Sequence, residues 1–436
     1  MLDKRLAPIR EKDAVIPTYS ADTLITAPAI VETVYSSHAS THMSMGDTST
    51  FVEKLIHWTR HNKGCVIGAI VGRYGYGKTS TAVHLWHECE KNNVIAVPPF
   101  AWFGLNDIIG ATFSWVNYRL EQLAPDYCQP LRFIYDRYCA QSLETLAVEQ
   151  GTKIEVLKGL LDRGKLKLET RPPDVVKFLA EVNELVSKVG REGPVVFTDE
   201  LQITLSEYPS RDEFIGDLFG ILNELHHHQG SYGIVISMPT ATETLIADIR
   251  PDIIDRMQGF NFYMRPETMY GRSFASDLWR KFAHVFGFVD TMSDILPPYT
   301  LKSIGEIASR QDLGAGPRTV VDAFRRAIAY YDESDTTYQP VDLIDDYLHG
   351  EVAFDQNGKL GQVVREALSV APVTGNTDNE FAMKLLGAFP EGCSEEIQHY
   401  YGVAEIISEL PPVYRREYLY DFAEGPSLRK LYACRE

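Results

Sequence analysis

A chain of 436 residues with 44% hydrophobic and 23% charged content is long enough for two or three globular domains and lacks the bias of a disordered or fibrous protein. Its net charge of −18 weighs against broad adhesion to nucleic acid or anionic membrane, and no apolar run approaches the ~20 residues needed to span a bilayer. Six cysteines without a C-x-x-C pair argue against a zinc site or a disulfide framework, and MLDKRLAPIREKDAV lacks a secretory signal, so the expectation is a cytoplasmic protein with reduced, mostly buried thiols.

Residues 1–50 are polar, rich in Ser, Thr, Ala and Pro, and read as an extended arm. A first helix follows over TSTFVEKLIHWTRHNK, with Ser49 or Thr50 as its N-cap. Short apolar runs at 65–71, 93–98, 194–199, 232–238 and 259–264 read as five strands, nearly all separated by helical patterns. Buried strands alternating with helices imply a parallel sheet covered on both faces, hence an α/β domain over 51–267. The long connection between the second and third strands carries helical spacing and reads as an insertion at about 125–190, because a structureless loop of that length is improbable.

Beyond 268 helices take over. SFASDLWRKFAHVFGF, TLKSIGEIASR and PRTVVDAFRRAIAYY form an all-helical domain to about 340. Residues 341–436 continue as a further helical module, winged-helix-like or truncated, since the closing SLRKLYACRE stops on a helical pattern without a cap.

Two motifs carry chemistry. The stretch Gly72, Arg73, Tyr74, Gly75, Tyr76, Gly77, Lys78, Thr79 fits G-x-x-x-x-G-K-[ST], with CVIGAIV before it and the helical STAVHLWHECE, beginning at Ser80, after it. That strand-loop-helix context is what a phosphate cradle needs: successive backbone N–H groups and a helix N-terminus surround the phosphates, a Lys reaches the β- and γ-phosphates, and a hydroxyl binds magnesium. Lys78 and Thr79 take those roles. The second motif, PVVFTDE, is an apolar strand ending in Asp199 and Glu200. Asp199 suits the hold on magnesium and Glu200 suits the polarisation of an attacking water. ATP and Mg²⁺ are the expected ligands.

A P-loop, an added strand, a strand ending in Asp-Glu and a further strand ending in a polar residue resemble the additional-strand catalytic-glutamate class of P-loop ATPases. With the helical domain that follows, residues of about 50–335 resemble the AAA+ family, and within it the initiator group of origin-recognition and Cdc6-type ATPases. The resemblance implies three further residues. Ser237, ending GIVIS, takes the place of the sensor-1 polar residue, with Thr240 as substitute. Arg256, before the fifth strand, takes the place of the arginine finger that acts on a neighbouring subunit, with Arg250 as runner-up. Arg318, in GAGPRTVV, takes the place of the sensor-2 arginine that closes over the phosphates. It also implies a homo-oligomer or a larger hetero-complex, with DNA contact indirect given the charge. The arm and the helical continuation resemble the ATPase component of bacteriophage-exclusion (BREX) defence systems. Against an ATPase stands a signalling or scaffolding switch with little hydrolysis, which Glu200 disfavours, and a RecA-type motor, which the all-helical domain disfavours.

Other features have ordinary explanations. His226, His227 and His228 close a helix and interact with its dipole. His38 and His42 stand at i, i+4 but lack the Glu of H-E-x-x-H. Phe100, Trp102 and Phe103 have no interleaved basic residues, so core packing is expected rather than base stacking.

Overall fold

The computed structural model describes residues 6, 9, 16–43, 47–61, 64–73, 75–139, 147, 151–163, 173–208, 210–259, 262–264, 273–308, 316–334 and 337–338. Tyr74 and the module at 341–436 lie outside the described residues. The chain forms two compact units, one of residues 16–73 and 78–266, the other of residues 1–15, 74–77 and 267–436.

The first unit is a parallel α/β sheet. In chain order it carries β1 (Tyr19–Ser20), α1 (Ala21–Thr26), α2 (Pro28–Thr41), α3 (Asp47–Arg60), β2 (Val66–Gly72), α4 (Lys78–Lys91), β3 (Val94–Ala101), α5 (Leu105–Leu123), α6 (Cys128–Tyr138), α7 (Ile154–Asp162), α8 (Val175–Ser187), β4 (Glu192–Thr198), α9 (Leu201–Glu207), α10 (Arg211–His227), β5 (Gly233–Pro239), α11 (Thr240–Ile249), α12 (Pro251–Gly259) and β6 (Phe262–Met264). The strand order is β1-β3-β4-β5-β2-β6, with every pairing parallel. The described residues form six strands where five were expected. The extra one is the two-residue β1, which adds to the edge of β3 through Tyr19 and Phe100. β2 and β3 are buried along their whole length, as strands covered on both faces must be.

The strand bearing the Asp-Glu pair is not next to the P-loop strand: β5 lies between β4 and β2, the additional-strand arrangement. β3 runs past its expected end at Pro98 to Ala101. The two prolines fall where the β3–β4 register shifts, between Val97 and Phe100, so no regular ladder bond is lost.

The arm at 1–50 is corrected where it is described. Residues 21–26 and 28–41 are helical rather than extended. Ser20 caps α1 by accepting from Thr23 N, and Pro28 stands at the first helical position of α2, where its missing N–H costs nothing. Val31, Tyr35 and Ala39 form the buried stripe of α2 at i, i+4, i+8, a helical period that Ser- and Thr-rich spacing obscures. The Tyr35 hydroxyl lies 3.0 Å from the carbonyl oxygens of both Pro17 and Pro99, tying the arm to β3. The first long helix starts at Asp47, so Ser49 and Thr50 are inside it and do not cap it.

Phe100 and Trp102 are buried, and Trp102 packs against Tyr208 and Phe214 at 5.8 and 5.9 Å between ring centroids. Phe103 differs and is 42% exposed, one residue beyond the packed stretch. His226 and His227 end α10 as expected of groups that favour the negative end of a helix.

The second unit is helical in its described part: α13 (Phe274–Phe286), α14 (Met292–Ile295), α15 (Pro298–Ala308) and α16 (Pro317–Ser334). Gly287 ends α13 in the left-handed region at φ 75°, which a residue without Cβ adopts at least cost. Trp279 anchors the core of this unit against Phe288 and Phe324, at 5.0 and 4.8 Å, and its indole N–H donates to the Met292 carbonyl.

Candidate functional site

The site is built where β2, β4 and β5 end. Parallel strands all point their carboxyl ends the same way, so whatever follows each strand gathers on one rim of the sheet. Gly72 closes β2 opposite Pro239 of β5, and Ile70 stands opposite Ser237. Across β5, Thr198 of β4 stands opposite Ile236, which brings Asp199 level with Ser237. Asp199 is fixed by its own N–H, which donates to the Phe100 carbonyl of β3 at 2.9 Å.

After β2 the chain turns through a loop in which Gly75 and Gly77 both take positive φ, 80° and 79°. Residues without Cβ adopt this backbone at least cost. α4 then starts at Lys78, whose ammonium donates back to the Arg73 carbonyl at 3.0 Å and closes the loop. Thr79, one residue on, donates its hydroxyl to Asp199 Oδ2 at 2.5 Å. Ser80 lies in the same first turn and its Oγ is 2.8 Å from His42 Nδ1.

Asp199 is buried. Burial pushes its carboxyl pKa up, and the Thr79 hydroxyl, the Glu200 N–H, the Lys78 ammonium and the Ser237 hydroxyl pull it back, leaving it raised overall. Ser237 Oγ is also buried, close enough to the Asp199 carboxyl to favour its charge yet without a hydrogen bond of ordinary geometry. A buried hydroxyl that is not bonded and faces a carboxylate, beside a Thr hydroxyl on the same carboxylate, is a donor set of hard oxygens. That set fits a magnesium ion.

Glu200 follows as the N-cap of α9 and is one of two described residues other than Gly with positive φ, at 54°. A Glu in the left-handed region is uncommon, and it persists where the surrounding structure holds it. Its carbonyl accepts from Ile203 N at 2.8 Å. Its carboxyl pKa is raised by partial burial and by Asp199, and opposed by Lys78. Gln202 donates its side-chain amide to the Glu200 carboxyl, a contact no motif in the sequence announces.

The tip of the loop belongs to the helical unit. Arg318 N donates to the Gly75 carbonyl at 3.2 Å, and a Cβ on Gly75 would lie 3.2 Å from Arg318 Cβ. Tyr76 is 2% exposed, and a Cβ on Gly316 would lie 3.3 Å from two atoms of its ring. The loop tip therefore packs on the turn Gly316-Pro317-Arg318, where Tyr76 leaves little room for a side chain at 316. The Arg318 guanidinium is 4.0 Å from Asp322 and about half exposed. Tyr76→Ala is expected to destabilise the helical unit by about 3 kcal/mol, because it empties a buried ring site. A thermal melt checks this, and an unchanged melting temperature would show that the loop tip keeps its packing without the ring.

No protein-family model matches the chain, and no curated protein matches it. Among solved structures it is similar to the ORC2 protein of Aeropyrum pernix, determined as ADPNP–ADP complexes, at 13% identity and a TM-score of 0.44, over 86% of this chain and 84% of that one. So loose a likeness assigns no activity. No described helix is long and apolar enough to cross a membrane.

The structure thus brings Lys78, Thr79, Asp199, Glu200 and Ser237 onto one rim, with Gly72, Arg73 and Ser80 flanking the loop. Thr240 begins α11 at the same end of β5. Arg256 is placed elsewhere, on α12, with its guanidinium 5.3 Å from the Phe219 ring centroid. Arg250 stacks on the same ring at 3.9 Å and pairs with both carboxylate oxygens of Asp252 at 2.9 and 2.8 Å.

Proposed function

We propose that this protein binds ATP with magnesium and hydrolyses it, as an AAA+-like ATPase of the initiator type. The observation that carries the reading is the 2.5 Å contact between Thr79 Oγ1 and Asp199 Oδ2, which joins the P-loop helix to the strand-end carboxylate across an intervening strand. Residues 120 positions apart in sequence meet, which supports a joint role at phosphate and cation.

Magnesium, when bound between Thr79 and Asp199, would neutralise phosphate charge. The chain's own groups do the rest. Backbone N–H groups of the loop and the start of α4 receive the phosphates, and Lys78 exchanges the Arg73 carbonyl for phosphate oxygen. Glu200 orients water and accepts its proton, and the Ser237 hydroxyl steadies the same region. Arg318 is the cationic fork for the terminal phosphate, a role carried by the sequence resemblance. Arg256 of a neighbouring subunit completes the site in an oligomer, a role carried by the sequence resemblance. The same resemblance supports a DNA-associated partner complex, in the manner of bacteriophage-exclusion ATPases.

The deciding experiment is ATP titration and phosphate release for the full chain and for Lys78→Ala. Loss of about 10²-fold or more in affinity or turnover on replacing Lys78 supports the reading. Equal behaviour of the two proteins removes it.

A further inference from the structure

His42 caps the C-terminal end of α2, far from the P-loop in sequence, yet its ring reaches the first turn of α4. Its Nδ1 lies 2.8 Å from Ser80 Oγ, and its ring stacks on that of His84 at 4.4 Å and 21° between planes. His84 stands one turn further along α4 on the same side as Ser80, so the imidazole is held by its neighbour's face as well as by its own helix. The position is set by the packing of α2 on α4, to which Tyr35 and Trp86 also contribute at 6.1 Å between rings.

We propose that His42 is a positioning residue of the nucleotide site, holding the Ser80 hydroxyl so that its hydrogen points at phosphate. This rests on the nucleotide-binding reading above. A hydroxyl has one hydrogen and two lone pairs. When the imidazole proton is on Nδ1, His42 donates to Ser80 Oγ and leaves the hydroxyl hydrogen for an anion. When Nδ1 is bare, Ser80 must donate to it and offers an anion only lone pairs, which repel it. A phosphate at the start of α4 therefore selects the Nδ1–H form, and the two hydrogen bonds in series strengthen one another. Ser80 is only partly buried. Thr79, the residue before it, is committed to Asp199, so the two hydroxyls divide the work: Thr79 serves the cation and Ser80 the phosphate. The N-terminal helical segment is thereby connected to nucleotide occupancy through one ring.

A purely structural tie between α2 and α4 would leave nucleotide affinity alone, and variants separate the two. Asn places its Nδ2 the same number of bonds from the backbone as Nδ1 and always donates, so it restores the donor without the ring. The test measures ATP affinity by calorimetry with magnesium for the full chain, His42→Ala, His42→Asn, Ser80→Ala and the double Ala variant, with Lys78→Ala as control. His42→Ala and Ser80→Ala are each expected to bind about tenfold more weakly, the double variant no more weakly than Ser80→Ala, and His42→Asn within about threefold of the unchanged protein. Nitrogen-15 spectra should show His42 moving to the Nδ1–H form on addition of ADP. Wild-type affinity in His42→Ala, a His42→Asn as weak as His42→Ala, or additive losses in the double variant would overturn the proposal. If the unchanged protein and Lys78→Ala both fail to bind ATP, the nucleotide-binding reading falls first and takes this one with it.

Discussion

Glu200→Gln is expected to lower phosphate release from ATP by about 10²–10³-fold at saturating nucleotide, with ATP affinity held within a few-fold. The substitution keeps the volume of the side chain and its hydrogen-bonding reach, so it tests the carboxylate's ability to take a proton and little else. Glu200 sits in a left-handed backbone at φ 54° that Gln adopts at similar cost, so the fold of the rim should survive. Thr79 and Asp199 are untouched, which is why binding should persist. Steady-state phosphate release, run beside a binding titration, separates the outcomes. Equal and negligible rates in both proteins would support a nucleotide-dependent switch that works by occupancy, with Glu200 in a structural role.

Gly233→Ala is expected to be the most destabilising single-methyl change at the sheet, costing on the order of 4 kcal/mol or more, or preventing folding of the sheet unit altogether. Gly233 opens β5 between Val66 of β2 and Val195 of β4, and a Cβ there would lie 1.9 Å from the Val66 carbonyl oxygen. The obstruction is backbone in β2, the strand before the loop, so relief requires that β2 move away from β5 and give up ladder bonds. Gly216 and Gly220 of α10 supply the contrast, since a Cβ at either has nothing within 4 Å. Ala at those positions should be neutral or stabilising by about 0.5–1 kcal/mol, from helix propensity. Thermal and denaturant unfolding of the three variants checks both signs. A Gly233→Ala protein melting like its parent would mean that the β2–β5 register is different from the one described.

Much of the rim was legible in the chain because the signals are local. CVIGAIV, PVVFTD and YGIVISM are short, continuous and β-branched, and the loop and the Asp-Glu pair are attached directly to their ends. The missed elements are those whose evidence is weak over any short window. β1 is two residues long and exists because β3 offers it an edge. α1 and α2 depend on a thin stripe, Val31, Tyr35 and Ala39, set among Ser, Thr and His. Their stability comes from packing on the sheet unit, which propensity does not record.

The candidate site residues divide along the same line. Lys78, Thr79, Asp199 and Glu200 could be named from adjacent letters, since each motif places its groups through one turn or one strand end. No adjacent letters connect His42 with Ser80, Tyr76 with Gly316, or Gly75 with Arg318. His42 offers the weak pattern H-x-x-x-H in sequence, and in space it is a neighbour of the phosphate loop. Those contacts arise because distant helices and turns close on the same loop. The chain's own periodicities therefore specify a parallel sheet with the G-x-x-x-x-G-K-T loop at its rim, while the packing of α2 on α4 in one unit and of the Gly316 turn on Tyr76 in the other was decided by tertiary structure, because contact between distant segments depends on shape and burial that no local pattern encodes.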